Sequence, residues 1–80
     1  MITPHLALST AEKGSRLVVI EIPEGKVRSQ LIRLGVTKGA FIRCIERLPG
    51  GTVVIQKHRQ EIAIGVALAR TILVAYVSAE

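Results

Sequence analysis

Aspartate and tryptophan are both absent from this chain of eighty residues, and the aromatic complement is one phenylalanine, Phe41, and one tyrosine, Tyr76. With so few aromatic rings the interior must be aliphatic, and β-branched Val and Ile side chains suit pleated strands better than helices. Cysteine is nearly missing as well. Cys44 stands alone, which rules out an internal disulfide of the kind a secreted domain this small usually needs. Long apolar runs are also lacking. Residues 62–77 come nearest, but Gly65 and Arg70 interrupt them, and a membrane span takes about 20 predominantly apolar residues. At the other end His5 and the polar stretch 9–14 break the pattern of a secretory signal. These absences predict a cytoplasmic protein that is not inserted in a membrane.

What is present fits one small domain over 1–80, with residues 1–5 expected to be flexible. The hydrophobic fraction is 49%, enough for a core. A chain of this length buries only about 60% of the surface its unfolded form exposes, so stability is marginal. Eleven basic and six acidic residues leave a net charge of +5. That tolerates an acidic partner but is also ordinary for a soluble domain.

The pattern along the chain alternates short strands with tight turns. Ser9 and Glu12 have the spacing of a capping box, which predicts one helical turn with Ser9 as N-cap, ended by Gly14. Residues 16–22 read as a strand stopped by Pro23-Glu24-Gly25. Val27, Leu31 and Leu34 recur on one helical face, with Arg28, Gln30 and Arg33 opposite. Gly35 follows where a helix terminus needs positive φ. Residues 40–48 alternate as a second strand, with Phe41, Arg43, Ile45 and Arg47 on one face. Pro49-Gly50-Gly51 is a turn into a third strand over 52–58. Residues 61–64 are a short fourth strand, 66–70 one helical turn, and 72–77 the last strand. The reading is mainly β: a small five- to six-stranded SH3-like barrel with one short α-helix, closed so as to remove exposed sheet edges.

Catalytic chemistry finds little support. There is no phosphate-binding loop, neither Ser29 nor Ser78 has a recognisable histidine partner, and five of the six glutamates are scattered singly through the first 61 residues. No cofactor is expected. Nor is a metal site: structural zinc wants four ligands, mostly Cys or His at short spacing, and His5, Cys44 and His58 form no such pair. Cys44 reads as a small buried hydrophobe. A basic stripe of Lys38, Arg43, Arg47, Lys57, His58 and Arg59 raises RNA binding as the rival function. Single-stranded recognition relies on aromatic stacking, and two aromatics, one of them expected to be buried, argue against it. Arg28 and Arg33 are candidate arginine fingers on a partner GTPase, against the plainer reading of solvated helix residues.

The stretch Leu31-Ile32-Arg33-Leu34-Gly35-Val36-Thr37-Lys38-Gly39 resembles the signature of the FeoA family, in which a helix ends in Leu-Gly-Leu before a Thr-Pro-Gly turn and a strand. Residues 8–14 are similar to that family's opening Leu-x-x-Leu-x-x-Gly element. Ile62-Ala63-Ile64, Ala69 and Ile72-x-Val74 resemble its closing pattern, so the likeness runs over roughly 6–77. The chain departs from the pattern at Gly51-Thr52, where the family often has Asp-Pro, and at Arg59, where it often has Gly. It departs again at Gly65-Val66-Ala67-Leu68, where polar or basic residues are usual. The resemblance implies an accessory adaptor of ferrous iron uptake. Its partner would be the membrane iron transporter, whose cytoplasmic GTP-binding region it would bind and modulate. A second copy of the chain is an alternative partner. A stand-alone relative of the C-terminal domain of iron-dependent repressors is a further alternative.

Contiguous exposed apolar residues on a small domain usually have a use. Leu48, Pro49 and Gly50 together with Val66, Ala67 and Leu68 are therefore the expected partner-binding surface. The alternative is that these side chains fill the mouth of the barrel.

Overall fold

The computed structural model describes residues 5–77 and builds one antiparallel sheet around an aliphatic core. Its strands are β1 (Leu6–Ala7), β2 (Arg16–Glu21), β3 (Phe41–Arg47), β4 (Val53–Lys57), β5 (Gln60–Ile64) and β6 (Leu73–Tyr76). A 3-10 turn spans Leu8–Thr10, helix α1 spans Lys26–Arg33 and a one-turn helix α2 spans Val66–Ala69. The strand order is β1-β6-β2-β3-β4-β5. This is the mainly β, SH3-like architecture that the alternation of the sequence implies.

Strand alternation sorts the side chains. Leu17 and Val19 of β2, Ile42 and Cys44 of β3, Val53 and Ile55 of β4, Ile62 and Ile64 of β5 and Val74 of β6 all point inward and are buried. Among the described residues no polar or charged side chain is buried, so the core is held by apolar burial and backbone pairing alone.

Helix α1 closes one end of this core. Leu31 is buried, and Val27 and Leu34 pack against the cluster from the same face. The terminus is a Schellman motif: Gly35 N–H donates to the Ile32 carbonyl at 3.0 Å and Val36 N–H to the Leu31 carbonyl at 2.8 Å. Gly35 has φ +85°, the left-handed conformation that a side chain disfavours. Leu31 and Val36, which this motif brings together, are both core residues.

Three expectations from the sequence are corrected. Ser9 is not an N-cap: it lies inside the 3-10 turn, whose N-cap is Ala7, and no side chain caps it. The N–H of Glu12, the other half of the expected box, instead takes the Tyr76 hydroxyl at 3.2 Å. The sheet does not close. Among the described residues β1 and β5 form no ladder with each other; β1 has two residues and pairs only with β6, while α2 packs against the 3-10 turn on that side. The alternation of β3 also breaks, because a bulge between Cys44 and Glu46 sets Arg47 opposite Val53. Residues directly opposite share a face, so Arg47 changes sides and its guanidinium donates to the Ser9 carbonyl at 2.6 Å.

Candidate functional site

The surface expected to bind a partner is brought together from two elements. The β3–β4 turn carries Leu48, which is 41% exposed, and the exposed Pro49 and Gly50. Leu48 N–H donates to the Thr52 carbonyl at 2.8 Å and Gly51 N–H to the Leu48 carbonyl at 3.1 Å, which fixes the turn. Helix α2 lies directly against it. A Cβ placed on Gly51 would fall 2.7 Å from Val66 Cγ2 and 2.9 Å from Val66 Cβ, so the absence of a side chain at Gly51 is what lets α2 approach. Gly51 also has φ +100°.

The six residues divide by environment. Ala67 faces solvent, Val66 is half-buried against Gly51, and Leu68 is half-buried against the core cluster. Leu48, Pro49 and Ala67 are thus exposed and Val66 is half-covered where the two segments meet at Gly51, while Leu68 anchors α2. The Thr71 hydroxyl donates to the Leu68 carbonyl at 2.7 Å, and Thr71 N–H to the same carbonyl at 2.9 Å, which stops the helix after one turn.

The other features singled out from the sequence are dispersed. The basic stripe is only partly assembled, with Arg43 and His58 beside one groove. Lys38 reaches Glu21 at 4.0 Å, Arg47 turns to Ser9, and Lys57 Nζ lies 2.9 Å from His58 Nε2. Arg28 is held by the Ile22 carbonyl at 3.2 Å and by Glu24 at 3.6 Å, whereas Arg33 is exposed on α1. Cys44 is a fully buried free thiol; burial pushes it above its ordinary pKa, against a weaker opposing pull from Arg47. Among the described residues no group of three or more His, Cys or Glu side chains is gathered closely enough to hold a metal ion. The Ser15, Thr10 and Thr71 hydroxyls are committed to carbonyls three residues back in the chain. Ser78 lies outside the described residues. Among the described residues the arrangement offers surfaces for binding.

Phe41 lies on the face of Arg43, as the alternation of β3 implies, and is 67% exposed. Of the two aromatics, one of which was expected to be buried, Tyr76 is the more covered, but it is only half-buried against the core.

Comparison with known proteins agrees with the fold. Residues 6–76 match the FeoA domain family. A crystal structure of an iron uptake regulatory protein (FeoA) is 30% identical, with 92% of this chain and 99% of that one covered and a TM-score of 0.82. A FeoA-like protein from Clostridium acetobutylicum is 26% identical over all of this chain and 94% of its own, with a TM-score of 0.80. ScaR, solved with bound Zn2+, shares the fold at 20% identity and a TM-score of 0.78, and this chain spans 37% of it. A search of curated proteins finds no match. No helix among the described residues is long and apolar enough to cross a membrane. A domain match that runs from β1 to the end of β6, with a solved relative covered almost from end to end, shows that the chain belongs to the FeoA domain family.

Proposed function

We propose that this protein serves ferrous iron transport as a small cytoplasmic adaptor. It docks on the cytoplasmic GTP-binding part of a membrane iron transporter and modulates it. The family match over residues 6–76 carries this reading, and the description of a 30% identical relative as an iron uptake regulatory protein supports it. The docking surface is the apolar join of the β3–β4 turn with α2, formed by Leu48, Pro49, Gly50, Val66 and Ala67 over the anchor Leu68. Two elements pack into one apolar patch there, and a few such residues dominate the energy of a typical interface.

The test is direct binding of the purified protein to the isolated cytoplasmic domain of a ferrous iron transporter, read by titration calorimetry and by GTP hydrolysis. Ala67→Glu and Leu48→Glu alter exposed side chains, so the fold should survive while affinity falls about tenfold or more. Wild-type binding that both variants retain would remove this surface from the proposal. No binding by the wild type, with self-association in sedimentation that both variants abolish, would make a second copy the occupant.

A further inference from the structure

We propose that the outer face of the sheet carries a second docking site, which takes an acidic, extended peptide segment bearing an apolar side chain. The site is an open groove of about 470 Å³ whose walls include Arg16, Phe41, Arg43, Gln56, His58 and Val77. It lies at the start of β3, whereas the apolar join lies just past its end. A rise of about 3.3 Å per residue puts the two roughly 20 Å apart.

Two features of the groove are left unsatisfied among the described residues. Arg16 and Arg43 stand directly opposite each other on β2 and β3. Like charges in that position destabilise a sheet, and among the described residues neither arginine has a carboxylate partner within salt-bridge distance. Acidic positions on this face include Glu61, beyond Gln56 in the same cross-strand row, and Glu46, opposite Val54 and paired with Lys13 at 3.0 Å. Phe41, beside Arg43 on the same face, leaves 67% of its surface in water. Its neighbour across the ladder is Val18, so the apolar part of the face extends inward from the arginines.

An acidic peptide answers both features. Carboxylates accept paired hydrogen bonds from the two guanidinium forks, and an apolar side chain next to them covers Phe41. Among the described residues no acidic side chain lines the groove to repel such a segment. Single-stranded nucleic acid fits less well, because it needs successive stacking platforms. Phe41 and His58 are the two exposed rings that line the groove, too few for a run of stacked bases, and the Tyr76 hydroxyl is engaged with the Glu12 amide. The groove shares no residue with the apolar join, so the two proposals stand or fall separately.

The test is an NMR titration of the full chain with a synthetic peptide of alternating glutamate and leucine, beside a lysine–leucine peptide and a uridine decamer. The acidic peptide should shift the amides around Arg16, Phe41, Arg43 and Gln56, and its affinity should fall steeply with added salt. Arg16→Gln with Arg43→Gln should weaken it at least about tenfold, while the thermal midpoint holds or rises as the opposed charges are removed. Phe41→Ser should also weaken it; if that variant does not fold, the arginine pair decides. Shifts confined to another face would overturn the proposal. So would arginine variants that bind within about twofold of wild type, a lysine peptide that binds as well, or a uridine decamer that binds more tightly at about 150 mM salt.

Discussion

Replacing Gly51 by alanine tests the join between the β3–β4 turn and α2 through the one atom that would break it. Two penalties combine. The backbone at φ +100° is strained for a residue with a Cβ, by about 1–2 kcal/mol. The new Cβ would also sit 2.7 Å from Val66 Cγ2 and 2.9 Å from Val66 Cβ, well inside the about 3.5–4.0 Å of a favourable carbon contact. Relieving such overpacking typically costs about 1–3 kcal/mol. The expected loss is therefore roughly 2–5 kcal/mol, and at about 4–8 °C per kcal/mol for a domain of this size the thermal midpoint drops by about 10 °C or more. The partner substitutions separate the two parts. Val66→Ala removes Cγ2 but leaves Cβ, so its rescue is partial. Val66→Gly removes both atoms and should recover the steric share, leaving the φ share in place. Urea unfolding of the singles and doubles should then give a coupling of about 1 kcal/mol or more between positions 51 and 66. A Gly51→Ala variant within about 0.5 kcal/mol of wild type, or strictly additive doubles, would refute the packing of α2 on the turn and with it the contiguity of the apolar surface.

Gly35→Val places a β-branched side chain at φ +85° and should destabilise by about 1–2 kcal/mol from backbone strain alone. The added Cβ itself would meet Lys57 only at 3.5 Å, so a much larger loss in denaturant titration would point to a different cause. The Cys44 thiol, raised in the folded state by burial, keeps its proton where the unfolded chain has lost it. Its contribution is complete below the unfolded thiol's pKa of about 8.5 and falls away as pH rises above that. The urea midpoint should thus decline between about pH 8 and pH 10 more steeply in wild type than in Cys44→Ala, and parallel profiles would count against burial of the thiol. Folding should not depend on metal: the thermal midpoint should be the same in chelator and in ferrous iron, because a ligand bound only by the folded state raises it.

Most elements were legible because they rest on local rules. Leu31, Leu34 and Gly35 announce a helix and its Schellman end, Pro49-Gly50-Gly51 a hairpin, and the alternation of Ile42 and Cys44 with Phe41 and Arg43 the buried face of β3. The misreadings come from tertiary competition. Ser9 and Glu12 have capping-box spacing, but the Glu12 amide is claimed by Tyr76 from the far end of the chain, and spacing alone cannot see that. The bulge after Cys44 leaves no composition signal, since Ile45 and Glu46 are ordinary strand residues. Sheet closure was inferred from the general liability of open edges, yet the short β1 supplies only two residues to pair. The candidate surface was legible as an apolar cluster in two segments. Its compactness was not, because that depends on the fit between Gly51 and Val66 across the whole β4–β5 hairpin.

The position of β6 has a consequence for how the chain acquires its structure. This strand lies between β1 and β2, although it follows every other strand in the chain. The meander β3-β4-β5 can zip from neighbouring turns within microseconds, as isolated hairpins do. The β1 and β2 segments have no such local partner on their β6 sides and must wait for a strand made more than fifty residues after β2 begins, as the register of Leu17 with Tyr76 shows. Ordering a loop that long before its contacts form slows folding. A chain still on the ribosome, not yet extended past Leu73, would present the β6-facing edge of β2 unpaired, with apolar Val18 and Val19 along it. That interval is when this small domain is most exposed to mispairing with another copy, and the late insertion of β6 ends it.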